Sequence, residues 1–215
     1  MTGKTLHISI EGNVACGKST FLQGLEKEIK NQQLSEIIEI FPEPLSVWQG
    51  FGTEKTNLLG QMYSNPTQFS FAFQSVAMSS KIFQLRFSKP VNVVERSLFS
   101  QKNIFMPLLR EKGAITPLEL EILDYCIDAH LLSPDMVPDL YFYLQLEPTL
   151  TEQRLRHRNR TEENTVSLEY LQAIHEKHEL WLRSSNLRDQ VEIVDMSRPV
   201  DFRVIVEKIL YSRKK

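Results

Sequence analysis

The segment that most restricts the fold is Gly12-Asn13-Val14-Ala15-Cys16-Gly17-Lys18-Ser19, which satisfies the spacing G-x-x-x-x-G-K-[ST]. Its context matters as much as its letters. It follows the apolar run Leu6 to Ile10, of strand length, and opens a segment of helical period from Thr20 to Lys30. Glycines at 12 and 17 permit a tight turn that aims backbone N–H groups at phosphate, and the helix N-terminus adds partial positive charge. Lys18 would sit on the β- and γ-phosphates, and the Ser19 hydroxyl would face a Mg²⁺ ion bridging them. The loop implies nucleotide binding; by itself it does not separate kinases from GTPases or mechanical ATPases.

Further strand-length runs occur at Ile37 to Phe41, Val91 to Val94, Leu140 to Leu146 and Val191 to Val194. Segments of helical period lie between them at Thr67 to Phe87, Pro117 to Leu132, Leu168 to Arg183 and Asp201 to Tyr211. Alternation of this kind predicts an α/β fold with a mostly parallel sheet covered on both faces. Residues 49 to 65 are polar and show no readable period. With 215 residues, 41% hydrophobic, and no repeat or low-complexity linker, one domain spanning 1–215 is expected.

A formal charge of −2 lacks the basic footprint of a nucleic-acid binder, and no apolar run is long enough for a bilayer. Two cysteines, Cys16 and Cys126, suit a reducing compartment and are too few for a structural zinc site. The N-terminal stretch MTGKTLHISIEG shows neither a cleavable leader nor an Arg-rich presequence, so a cytoplasmic location is expected.

Two strand ends carry charge where open α/β sheets bind ligands. After the second run comes Glu43, between Pro42 and Pro44, a candidate acceptor for a hydroxyl proton or simply a solvated strand-end carboxylate. The third run ends in Glu95-Arg96-Ser97. Glu95 is a candidate for holding Mg²⁺ through water, and Arg96 for stabilising transferred charge or orienting Glu43, unless the two form only a local ion pair. Arg154, Arg156, Arg158 and Arg160 run into Thr161-Glu162-Glu163. A spacing of two spreads them around a helix, which suits a plain solvated surface; the other reading is a mobile lid over about 154–166 that closes on phosphate, with Arg158 and Arg160 facing inward. Among the aromatics that precede it, Gln74 stands out because its amide offers both a donor and an acceptor to a base edge.

Taken in order, Glu11 through Thr20, Glu43-Pro44 with Trp48 five residues after the Glu, Met62-Tyr63, Phe73-Gln74-Ser75, Glu95-Arg96-Ser97 and Arg158 through Glu163 resemble the deoxyribonucleoside kinase family. That family includes deoxycytidine, deoxyguanosine, mitochondrial thymidine and broad-specificity insect kinases. The resemblance covers nearly the whole chain and implies a five-stranded parallel sheet, ATP as donor, Mg²⁺, a small deoxynucleoside as acceptor and a homodimer. It implies Glu43 as base, Gln74 reading the nucleobase, Phe105 and Trp48 walling it, and Tyr63 and Glu163 on the sugar 3′-hydroxyl. Arg96, Arg158 and Arg160 would serve phosphates, and Glu95 the magnesium. Relatives that prefer cytidine or purines place Arg and Asp where this chain has Lys81 and Gln101, whereas thymidine-accepting relatives place smaller or apolar residues. The long side chains here lean towards deoxycytidine or purine deoxynucleosides over thymidine. The competing readings are a thymidylate-kinase-type monophosphate kinase, for which more basic residues at the strand ends are expected, and a non-catalytic structural relative, for which lost catalytic residues are expected.

Overall fold

The structure, a computed structural model, describes residues 5–213. The expectation for the N-terminal stretch falls partly on residues 1–4, outside the described residues.

In chain order the elements are β1 (Leu6–Glu11), α1 (Lys18–Asn31), β2 (Ile38–Phe41), α2 (Leu45–Gln49), α3 (Leu58–Ser64), α4 (Pro66–Gln84), β3 (Val91–Glu95) and α5 (Leu98–Ser100). A π-helical turn (Gln101–Phe105) leads into α6 (Met106–Glu111), followed by α7 (Pro117–Leu131), β4 (Leu140–Gln145), α8 (Pro148–Arg158), α9 (Leu168–Leu182), β5 (Val191–Asp195) and α10 (Phe202–Ser212). The five strands form one parallel sheet in the order β2-β3-β1-β4-β5. β1 lies at the centre with all six residues buried, paired through Ile8 to Val93 on one side and to Leu140 on the other.

The period of two sorts β4 between two layers. Leu140, Phe142 and Leu144 face the cluster formed by Phe21, Leu22, Leu25 and Ile29 of α1 with Ile205, Val206 and Ile209 of α10. Tyr141 and Tyr143 face the opposite layer, against Leu182 and Trp181 of α9. On that side α4, α6 and α7 share a further cluster around Met78, Met106, Leu109, Leu123 and Ile127. Helices therefore cover both faces, as a buried parallel sheet requires.

Several short helices, α2, α5, α6 and α8 among them, lie outside the expected helical segments, and two differences bear most on the cleft. Within the polar segment 49–65 lies α3, capped by Asn57, whose side chain accepts from the Gly60 amide at 2.8 Å. Leu58, Leu59 and Met62 alone are buried from it, too short a pattern for a clear helical period. The helix expected from Thr67 to Phe87 runs from Pro66, at its first turn, to Gln84.

Candidate active site

All parallel strands deliver their carboxyl ends to one edge, and there the chain places the loop between β1 and α1. Gly12 (φ 146), Ala15 (φ 60) and Gly17 (φ 111) turn it. A Cβ on Gly12 would lie 2.7 Å from the Leu144 carbonyl oxygen and 2.8 Å from Cys16 Sγ, so space and conformation both demand glycine. Asn13 is a brace: its amide donates to the Leu171 carbonyl of α9 and its Oδ1 accepts from the Val14 N–H, each at 2.8 Å. Lys18 folds back, with Nζ 2.8 Å from the Asn13 carbonyl and 3.2 Å from that of Gly12. Burial, then the nearby Arg96 charge, holds its pKa below the ordinary lysine value. Ser19 and Thr20 turn exposed side chains into the cleft.

Beside this loop stand the ends of β2 and β3. Arg96, in the left-handed region at φ 58, extends Nη1 to Glu43 Oε1 at 2.8 Å and Nη2 to the Gly12 carbonyl at 3.0 Å. One guanidinium thus ties the candidate base to the phosphate loop. Its Nε is buried with no hydrogen-bond partner among the described residues, and its guanidinium carbon lies 5.1 Å from the centre of the Phe105 ring. Arg96 pairs with Glu43 and not with its neighbour Glu95, so the local-ion-pair alternative does not describe it. Burial works to raise the Glu43 pKa, yet Arg96, Lys81 and Lys18 outweigh it and leave it below the ordinary carboxylate value. For Glu95, burial and then the Glu43 charge win, and its pKa is raised. The Glu43 N–H donates to Glu95 Oε2 at 3.3 Å.

Towards the other end of the cleft, one face of α4 presents Phe73, Gln74, Ala77 and Lys81, at helical spacing. Trp48 meets Phe73 edge to face at 5.5 Å and donates its indole N–H to Ser80 Oγ at 2.9 Å. Gln101 and Phe105 come from the π-helical turn. Gln101 Nε2 donates to the Gln74 backbone carbonyl at 3.1 Å and to Gln74 Oε1 at 2.8 Å. A backbone carbonyl only accepts, so both amides are oriented, and Gln101 Oε1 is left buried without a partner among the described residues. Lys81 Nζ donates to the carbonyls of Glu95 and Arg96 at 2.7 and 2.6 Å, so what it contributes here is bulk and charge. Burial lowers its pKa.

The arginine-rich stretch forms α8, stopped by Asn159 in the left-handed conformation, and then a single 3-10 turn at Thr161–Glu163. Arg158 Nη2 donates to both oxygens of the buried Glu163 at 2.6 Å, and Arg160 lies 3.8 Å from it. Tyr63 faces the same corner, its pKa raised well above the ordinary value by burial, then by Tyr170 and Glu163. Loop, strand ends, α4 and the arginines line one continuous cleft of about 1310 Å³.

A family model described as deoxynucleoside kinase matches residues 8–213, almost the whole chain. The chain belongs to the deoxynucleoside kinase family. It is 34% identical to a deoxycytidine kinase of Homo sapiens, over 94% of this chain and 88% of the relative. It is also 34% identical to deoxycytidine kinase 2 of Gallus gallus (86% and 77%) and 32% identical to the mitochondrial thymidine kinase 2 of Homo sapiens (84% and 65%). The protein is accordingly a deoxynucleoside kinase that uses a nucleotide phosphoryl donor.

Three residues in or beneath this kinase's cleft have contacts that the sequence alone did not give: Arg154 and Glu11 were named there only as members of the lid and of the loop motif, and Tyr170 was not named. Arg154 donates to the Cys16 carbonyl at 2.8 Å and to the Met196 carbonyl at 2.7 Å, clamping the phosphate loop from α8. The signal was present: Arg154 and Arg158 are four apart, so within the alternating run they share one helical face. Tyr170 lines the cleft from α9, its pKa pushed up to about 12 by burial, with Lys112 Nζ 4.9 Å over its ring. Nothing local marks it. Glu11, the third, lies wholly buried beneath the loop.

Proposed function

We propose that this kinase transfers the γ-phosphoryl group of ATP to the 5′-hydroxyl of a deoxyribonucleoside, preferring deoxycytidine or purine deoxynucleosides to thymidine, with Glu43 accepting the hydroxyl proton. The observation that carries the reading is the Glu43–Arg96 pair bonded to Gly12, since it joins a proton acceptor to a phosphate loop in one cleft. With its pKa held below the carboxylate norm, Glu43 is ionised at neutral pH and has a free lone pair to offer. A guanidinium carries five N–H donors, so Arg96, bonded once through each Nη, has N–H groups left for developing negative charge. An already charged monophosphate acceptor would meet Glu43 and Glu95 at the strand ends, which disfavours the monophosphate-kinase alternative. Glu43, Arg96 and Lys18 all stand in the cleft, against a non-catalytic relative.

The loop residues Gly12, Asn13, Ala15, Cys16, Gly17, Lys18, Ser19 and Thr20 suit the triphosphate of ATP, with Arg158 and Arg160 closing from a lid over 154–166 within one domain. Ser19 and Glu95 would hold Mg²⁺. Their hard oxygen donors fit that ion, and among the described residues no group of three His, Cys, Asp or Glu could cage a metal, so phosphate and water would complete its shell. Bound there, Mg²⁺ neutralises charge on the β- and γ-phosphates. On the acceptor side, Trp48, Phe73 and Phe105 would wall the base, Gln74 read it, and Tyr63 and Glu163 hold the 3′-hydroxyl. Gln101 and Lys81 fill the space beyond Gln74, which supports an amino-bearing base over the methyl of thymine.

Leu118, Ile122 and Tyr125 recur at helical spacing on the exposed side of α7, which supports a homodimer. Among the described residues no helix is long and apolar enough to cross a membrane, and the location proposed is cytoplasmic.

Glu43→Gln tests the reading. Turnover should fall about 10²- to 10⁴-fold with Mg-ATP affinity nearly unchanged, the range expected for losing a general base. Unchanged turnover would remove Glu43 from its role.

A further inference from the structure

Glu11 is 0% exposed, on the central strand, and among the described residues accepts no hydrogen bond from a cation. Its four partners are neutral donors. Oε1 accepts from Ser9 Oγ at 2.6 Å, from the Ser97 N–H at 3.0 Å and from Ser97 Oγ at 2.9 Å; Oε2 accepts from Ser100 Oγ at 2.6 Å. An apolar residue at this point of the sheet would avoid the desolvation of a carboxylate, so the charge is there for what it holds.

What it holds is the turn after β3. The ladder between β1 and β3 ends with Ile10 opposite Glu95, and the Arg96 N–H donates to the Ile10 carbonyl at 3.0 Å. Beyond that point the chains would part. Glu11 continues the pairing with its side chain, gripping Ser97 through both N–H and hydroxyl, while Arg96 reaches back to the Gly12 carbonyl. Residues 11–12 and 96–97 thus clasp each other twice around a left-handed Arg96, a conformation that persists in a non-glycine residue only when its surroundings over-determine it. The Ser100 bond extends the same grip to the residue before Gln101, where the π-helical turn begins. Arg96 and Lys81 both feel the Glu11 charge.

We propose that Glu11 is a positioning residue, which locks the Arg96 turn and the start of the Gln101 turn to the phosphate loop so that Arg96 aims Glu43 at the acceptor hydroxyl. The inference rests on the assignment of Arg96 and Glu43 made above. Ser97 and Ser100, which also line the cleft, are its working partners, whereas Glu11 is wholly buried and acts through them and Arg96.

A double-mutant cycle between Glu11 and Arg96 tests it. Glu11→Gln keeps the shape and one acceptor oxygen, and the Ser100 hydroxyl can turn to accept, but the charge assistance is lost. The expected result is a fall in kcat of roughly 10- to 100-fold, the scale of a small misplacement of catalytic groups, with KM for both substrates and the thermal midpoint nearly unchanged. In an Arg96→Ala background the same change should add less than about 3-fold, because its effect runs through Arg96. A wild-type kcat, an equal loss in both backgrounds, or a loss confined to KM would each overturn the proposal. If Glu11→Gln fails to fold, the pair Ser97→Ala with Ser100→Ala keeps the carboxylate and removes two of its donors. It should lower kcat alone by about 5- to 10-fold, again only when Arg96 is present, and the same contrary results would overturn the proposal. Wild-type kcat in Arg96→Ala itself would instead defeat the assignment of Arg96. A slow Arg96→Ala with an additive Glu11→Gln defeats the positioning role alone.

Discussion

The two ends of the cleft are built by different means. At the phosphate end the groups in play are largely backbone: carbonyls of Gly12, Asn13 and Cys16 engage Lys18, Arg96 and Arg154, and positive φ at three positions sets the loop. At the α4 end, proposed above to hold the base, the groups are side-chain amides that hold each other, Gln101 on Gln74, with one buried acceptor unmatched among the described residues. A site made from backbone tolerates little change and recognises what all nucleotides share. One made from paired side chains can be retuned by a single substitution, and that is where relatives at 32–34% identity named for deoxycytidine and for thymidine would be expected to part.

The contrast can be broken from either side. The larger effect belongs to Arg154→Ala, which removes two charge-assisted bonds that clamp the loop. KM for the nucleotide should rise about 10- to 30-fold in steady-state kinetics, while the ranking of deoxynucleosides stays the same. A changed ranking would mean the two ends are not separable. Gln101→Leu should do the reverse. Freed of its donor, the Gln74 amide can turn over, and the preference for amino- over oxo-pyrimidines should narrow by about 3- to 10-fold with nucleotide KM unmoved. An unaltered preference would show that Gln101 does not set the orientation of Gln74.

The same contrast governs how much the sequence disclosed. The phosphate loop, the five strands and the parallel sheet were legible because each depends on a run of neighbouring residues: a spaced glycine pair, or an apolar stretch of strand length. Helix α3 was not, since it buries only Leu58, Leu59 and Met62. Glu11 is one of three polar residues in β1, with His7 and Ser9, and its meaning lies in Ser97 and Ser100, some 86 and 89 positions away. Likewise, the alternating arginines were read with Arg158 and Arg160 inward but without partners, which the helix supplies by setting Arg154 on the loop and Arg158 on Glu163. Lys81 was legible as bulk, whereas its commitment to the carbonyls of Glu95 and Arg96 depends on how α4 packs over the end of β3.

The most direct test of the account is a phosphorylation assay with Mg-ATP against a panel of deoxynucleosides and their 5′-monophosphates. The account predicts that the free nucleosides are phosphorylated, deoxycytidine or a purine deoxynucleoside with higher kcat/KM than thymidine, and the monophosphates are not. Phosphorylation of monophosphates alone, or of no acceptor at all, would contradict it.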